Sequence, residues 1–328
     1  MKWIEPTAEE VRKLINESPK LIPKDLVIDE LNWRLVVRGL LRSENILILG
    51  YSGCGKTLTA KSIATAYGRP FERFNMGAMQ DARSSLIGNT HFKPESGTFF
   101  MGSKFIKAIT TPGTFIYLDE ITRMSVDAEN IMMTVLDRDQ RYVRIDEDQD
   151  SPFIKVASGV VFIATANVGP EYTATRLLDR ATKDRFSTII ELGLLEEAQE
   201  IALAKLLFPE LNRNYINAIA SVAKYTRDDI ISASPQLSTI LSTRSIHEQC
   251  RLAMDGFRFS EIMEACVFNL FDDSGVDSER AKVRQKANEK ATLDNESPLI
   301  SEAKVIPSAE TQNSVKKKDW FDVNTDVM

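Results

Sequence analysis

The stretch Gly50-Tyr51-Ser52-Gly53-Cys54-Gly55-Lys56-Thr57 constrains this chain more than any other. It follows the apolar run Asn45 to Leu49 and precedes a helix-like run from Leu58 to Tyr67, so its context is strand, tight loop, helix. Glycines at 50, 53 and 55 let successive backbone N–H groups turn inward around a phosphate chain, and the following helix points its positive end at the same place. On this reading Gly50, Tyr51, Ser52, Gly53, Cys54, Gly55 and Leu58 surround the phosphates, Lys56 reaches the terminal ones, and Thr57 holds a magnesium ion. The expected ligand is ATP. Cys54 sits near a helix N-terminus and Lys56, a setting that lowers a thiol's pKa and would make it redox-reactive. The alternative is a small residue that fits the loop.

Composition narrows the remaining classes. At 328 residues with 43% hydrophobic content, the chain can bury a full core and is expected to hold more than one domain. No apolar run approaches the roughly 20 residues that span a bilayer, and the N-terminus lacks the apolar core of a secretion signal, so the expected location is cytoplasmic. Cys54, Cys250 and Cys266 form no C-x-x-C pair, and His91 and His247 are far apart, which argues against structural zinc. A net charge of -6 argues mildly against wholesale nucleic-acid coating.

In chain order, Thr7 and Glu10 fit a capping box ahead of Val11, Leu14 and Ile15. A second helix from about Asp29 to Arg42 carries Trp33, Val36, Val37, Leu40 and Leu41 at helical spacing, an apolar stripe expected to lie on the nucleotide-binding sheet. A strand is expected at Pro70 to Asn75. Between Met76 and Gly113 the pattern predicts an inserted hairpin and then a helix near Lys104. Phe92, Phe99 and Phe100 of that insertion read either as a partner surface or as buried aromatics.

The apolar run Thr114 to Leu118 ends in Asp119-Glu120. At the C-terminal end of a buried strand, one carboxylate faces a magnesium shell and the next polarises an attacking water. A hairpin over Tyr142–Ile145 and Phe153–Val156 precedes another buried run, Gly159 to Asn167. Its terminal Asn167 is placed to orient a hydrolytic water, or else simply ends the strand in a turn. Ser187 to Leu192 supply the last strand. From Leu195 onward the apolar spacing is helical, giving a lid of four short helices in which Ser245 and Glu248 fit a capping box beside Arg244.

Together, Gly50 to Thr57, Leu118-Asp119-Glu120, the hairpin before Ala164-Thr-Ala-Asn167, Asp184-Arg185-Phe186 and Ser242-Thr-Arg-Ser245 resemble the AAA+ ATPases. Within them the chain is similar to the MoxR group, and in particular to the small ATPase subunits of aerobic cobaltochelatases. The resemblance implies an α/β P-loop core with a five-stranded parallel sheet in the order 5-1-4-3-2, a C-terminal helical lid, and a homo-oligomeric, hexameric ring. It also implies that Asn167 is sensor 1, Arg185 the arginine finger and Arg244 sensor 2, a nucleotide contact. Arg180, in Leu178-Asp-Arg-Ala, is a rival for the finger.

The expected organisation is an N-terminal helix and linker over residues 1–28, the nucleotide-binding domain over 29–193, the lid over 194–272 and a mostly disordered tail over 273–328. That tail is rich in Glu, Lys, Asn, Ser and Asp, and carries Trp320 and Phe321 as candidate docking anchors. The expected activity is magnesium-dependent ATP hydrolysis that remodels or loads a protein partner. The resemblance implies a metal-chelatase or von Willebrand A-type partner. The runner-up is a nucleic-acid motor or loader, because the same core serves both classes.

Overall fold

The structure is a computed structural model that describes residues 5–95, 97–145, 153–168 and 178–300. The acidic stretch ending at Pro152, and Trp320 and Phe321, lie outside the described residues.

Helix α1 (Ala8–Glu17) starts with the expected Thr7/Glu10 capping box, and α2 (Glu30–Leu41) is capped by Asp29. Trp33 is fully buried and its indole N–H donates to Ser18 O at 2.9 Å, fastening the end of α1 to α2. Five parallel strands follow in the central sheet: β1 (Ile46–Gly50), β2 (Phe71–Asn75), β5 (Phe115–Asp119), β8 (Val161–Asn167) and β9 (Thr188–Leu192). Their spatial order is β2-β5-β8-β1-β9. Renumbered within the sheet, this is the expected 5-1-4-3-2.

The inner strands β5, β8 and β1 read as near-continuous apolar runs because helices cover both faces, whereas the edge strands β2 and β9 mix apolar with polar residues. Ile46, Ile48, Tyr117 and Ile163 point to α2 and to α3 (Lys56–Ala66), whereas Leu47, Ile116, Leu118 and Phe162 point to the opposite layer. That second layer holds α4 (Ala82–Leu86), α5 (Lys104–Thr110) and α6 (Val126–Leu136). The predicted insertion is the antiparallel hairpin β3 (Gly88–Lys93) and β4 (Gly97–Gly102). Its aromatics divide: Phe100 packs on the core, while Phe92 is 71% exposed. A smaller hairpin, β6 (Tyr142–Arg144) and β7 (Phe153–Lys155), leads into β8, and α7 (Arg180–Lys183) precedes β9.

The lid contains α8 (Glu197–Leu207), α9 (Arg213–Ile230), α10 (Thr243–Met254) and α11 (Phe259–Cys266) around a core of their own. It does not end at residue 272. Helix α12 (Glu279–Asn288) places Val283 and Ala287 in that core, Leu293 joins them, and Asn212 N donates to Pro298 O at 2.6 Å. The expectation of a disordered tail from Asp273 is therefore corrected for residues 273–300. Averaged composition concealed three well-spaced apolar residues, which suffice because the lid supplies the other side of their contacts.

Candidate functional site

All five parallel strands end at the same sheet edge, and the phosphate loop leaves β1 there. Gly50 pairs in register with Asn167 on β8 and with Leu192 on β9. A side chain at Gly50 would place its Cβ 2.5 Å from Leu192 O, so the loop can leave the sheet only without one. At Gly53 the constraint is double, since φ is +75° and a Cβ would lie 2.6 Å from Ser242 Oγ of the lid. The lid thus closes directly on the loop, and only glycine lets it come so near.

Lys56 is the first residue of α3 and is 8% exposed. Its ammonium donates to Gly50 O at 2.8 Å and Tyr51 O at 2.7 Å, which aims it across the loop. Burial pushes its pKa down, opposed by the neighbouring Cys54 and Asp119. Of the two readings of Cys54, the structure supports the small residue that fits the loop: burial dominates over the nearby Lys56 and raises the thiol's pKa. It is a space-filling residue, because its Sγ would lie 2.7 Å from a Cβ at Gly50.

The carboxylate end of the cleft is built around a residue that the sequence did not single out. Tyr117 is fully buried on β5, and its hydroxyl lies 2.8 Å from Thr57 Oγ1, 3.1 Å from Asp119 Oδ1 and 3.3 Å from Thr165 Oγ1. Thr165 donates to the same Asp119 oxygen at 2.9 Å, and Arg73 pairs with the other. Burial by itself raises the pKa of Asp119, but the donors Arg73 and Thr165 outweigh it and hold the carboxylate below its ordinary range. Tyr117, in contrast, is pushed up to about 12, chiefly by burial, and stays protonated. Period-two alternation does put Tyr117 on the Asp119 side of β5. That alternation is the one sequence signal that could have found it.

Glu120 follows immediately in the left-handed region, at φ 54° and ψ 49°, a costly conformation for a residue with a side chain. Its N–H approaches Thr165 Oγ1 at 3.4 Å, and its carboxylate is 3.5 Å from Arg123. Asn167 ends β8 one strand away, half-buried at the cleft wall.

Arg244 reaches the same cleft from the lid. Helix α10 begins three residues earlier than the Ser245/Glu248 box predicted: Ser242 caps it, accepting from Ser245 N at 3.3 Å. Ser242 precedes an equally good helical run, and its hydroxyl lies next to the phosphate loop. The cleft has a volume of about 450 Å³. Away from the carboxylates it is walled by Leu26, Val27, Leu195, Leu203 and His247. Ser52, Gly53, Cys54, Gly55, Thr57 and Leu58 line the same cavity.

The two arginines before β9 are outside this cleft. Arg185 is tied into its own chain, donating to Met133 O at 2.8 Å and Ala181 O at 2.6 Å, with Asp137 at 3.7 Å. Arg180 is exposed and makes no side-chain hydrogen bond or ion pair among the described residues.

Residues 45–186, which include the loop, Asp119-Glu120, Asn167 and Arg185, match the AAA domain family of the dynein-related subfamily. Over that segment the chain carries an AAA domain. "Putative chaperone BssE" of Thauera aromatica is 32% identical to this chain over 208 residues, covering 61% of this chain and 66% of that relative. Lon protease 1 of Syntrophotalea carbinolica is 34% identical over 187 residues, 55% of this chain but 21% of the protease. The matches therefore span about two thirds of the one relative and about a fifth of the other. Among solved structures, a closed state of Hsp104 with ATPγS and FITC casein superposes with a TM-score of 0.53. It is 19% identical, covering 76% of this chain and 48% of that one, a likeness of fold. Among the described residues, no helix is long and apolar enough to cross a membrane.

Proposed function

We propose that this chain is an AAA+ ATPase that binds ATP with magnesium in the cleft, hydrolyses it within a homo-oligomeric, hexameric ring, and uses the cycle to remodel a protein partner. The observation that carries the reading is the convergence of Lys56, Thr57, Asp119, Glu120 and Asn167 at one sheet edge, with Arg244 delivered to the same cleft by the lid.

A magnesium ion fits the donor set. Thr57 Oγ1 and Asp119 Oδ1 flank one tyrosine hydroxyl, giving a hydroxyl and a carboxylate held ionised. Among the described residues no cluster of three His, Cys, Asp or Glu side chains forms a metal cage. Magnesium takes one or two protein oxygens and completes its shell with phosphate and water. Bound there, the ion would neutralise charge on the phosphate chain.

Lys56 supplies a fixed positive charge at the terminal phosphates, and the loop N–H groups hold the rest of the chain. Glu120, on its strained turn, accepts a proton from the attacking water, while the Asn167 amide fixes that water's orientation. For the finger that acts across a subunit boundary, the unbraced Arg180 is the better candidate, because Arg185 already has three partners on its own chain.

Relatives named as a chaperone and as proteases support a protein rather than a nucleic acid as the thing acted on. The MoxR-type resemblance supports a von Willebrand A-type partner or a metal chelatase. The deciding experiment pairs two variants. Lys56→Ala should lose nucleotide binding, whereas Glu120→Gln should bind magnesium and ATP yet cease turnover and retain the partner on affinity capture. Near-normal hydrolysis by Glu120→Gln would refute the assignment.

A further inference from the structure

Beneath the start of α10 lies a buried ion pair for which the hydrolysis chemistry has no use. Arg227, in the last turn of α9, is 7% exposed, and Glu200 of α8 is 1% exposed. Each arm of the guanidinium goes to a different segment. Nε donates to Leu241 O at 2.9 Å, one terminal nitrogen to Leu195 O at 2.7 Å, and the other to Glu200 Oε1 at 2.8 Å. The same Glu200 oxygen accepts from Thr243 Oγ1 at 2.6 Å. Next to Arg227, the fully buried Thr226 accepts Leu241 N at 3.0 Å.

These partners are the places where movement of the lid would have to pass. Leu195 belongs to the short link between β9 and α8, the covalent joint of sheet domain and lid. Leu241 and Thr243 flank Ser242, the cap of α10, whose hydroxyl sits against Gly53 of the phosphate loop. Arg244 follows at once. One planar group therefore fastens the joint, α8 and the residues that meet the loop into a single piece.

Stability does not account for the arrangement. A buried ion pair recovers its desolvation cost only when every polar atom is satisfied, and apolar replacements of similar volume often stabilise as much or more. Here Glu200 Oε2 has no hydrogen-bond partner among the described residues. What a planar fork with fixed donors does supply is geometry, since an ammonium cannot hold three acceptors in one plane.

We propose that Arg227 is a positioning residue: with Glu200 and Thr243 it forms a strut that sets Arg244 against the nucleotide and ties that placement to the lid joint. The inference rests on the reading of Arg244 as a nucleotide contact. Its output is the Arg244 side chain, so its effect must vanish when that side chain is gone.

The test is a double-substitution cycle on the full chain, with steady-state ATP turnover, affinity for a fluorescent ATP analogue and thermal melting recorded for each protein. R227K keeps the charge and loses the fork. It should melt close to the unsubstituted protein yet turn over roughly 10–100-fold more slowly, as a displaced catalytic contact does. In an R244A background the same substitution should change turnover by less than about twofold. T243V, which removes only the hydroxyl link between Glu200 and α10, should show the same non-additivity at smaller amplitude, and it decides the question if R227K does not fold. Unchanged turnover in R227K and T243V, or an undiminished effect of either on top of R244A, overturns the strut alone. R244A with normal turnover overturns the reading of Arg244, and the strut with it.

Discussion

Tyr117→Phe removes one oxygen from the centre of the cleft and leaves the ring in place. A phenol has a single proton, and Asp119 can only accept. The proton therefore goes to Asp119 Oδ1 at 3.1 Å, and the phenol oxygen is left to accept from Thr57 Oγ1 at 2.8 Å. The substitution removes one bond to a charged acceptor and one between neutral groups, while relieving the burial of a hydroxyl. Asp119 keeps Thr165 and Arg73. The net destabilisation expected is about 1–2 kcal/mol, or about 1.5–3 °C in melting temperature for a chain of this size. The functional effect has a different origin, because the Thr57 hydroxyl loses the partner that fixes its rotor. Half-saturating magnesium for ATP turnover should rise about three- to tenfold, equivalent to about 0.7–1.4 kcal/mol. Since Tyr117 titrates at about 12, the effect should be flat over working pH. Thermal melting without nucleotide and magnesium titrations of turnover measure the two parts. If both curves overlay those of the unsubstituted protein, the hydroxyl does not link Thr57 to Asp119 and the argument for a preset metal face fails.

Arg180→Ala should leave melting unchanged and reduce turnover by about 10³-fold or more, with partial recovery on mixing with Lys56→Ala subunits. Arg185→Ala should instead melt lower, having lost its bonds to Met133, Ala181 and Asp137; the reverse pattern would return the finger to Arg185. The raised Cys54 pKa means that labelling should be slow at neutral pH and accelerate only above the ordinary thiol range, and Cys54→Ser should keep full turnover; rapid inactivation at pH 7 that Cys54→Ser abolishes would contradict the burial argument. A chain ending at Ile300 should hydrolyse ATP normally, whereas one ending at Asp277 should lose lid stability because Val283, Ala287 and Leu293 go with it; equal melting of the two would show that α12 contributes nothing. Partner capture by the Ile300 truncation and by Trp320→Ala, Phe321→Ala tests the docking anchors, and undiminished capture by both would redirect attention to Phe92.

The chain's sequence by itself determined the buried strands and most of the candidate site, while the strand order followed from the resemblance to the AAA+ ATPases. A phosphate loop needs a buried strand before it and a helix after it, and parallel strands must end at a common edge. Gly50 to Thr57, Asp119-Glu120 and Asn167 were therefore legible as one cleft before any coordinate was known. What only the tertiary structure decided are the quantities set by burial and by approach between distant segments. Whether the Cys54 thiol is activated or suppressed depends on burial against Lys56, and burial wins. Ser242 rather than Ser245 starts α10, and its hydroxyl lies against Gly53, where any side chain would meet it. The hydroxyl hub at Tyr117, the bracing of Arg185 and the three-way grip of Arg227 join residues far apart in sequence. Local patterning contains no such term, because a side chain's partners are fixed by packing and not by its neighbours along the chain.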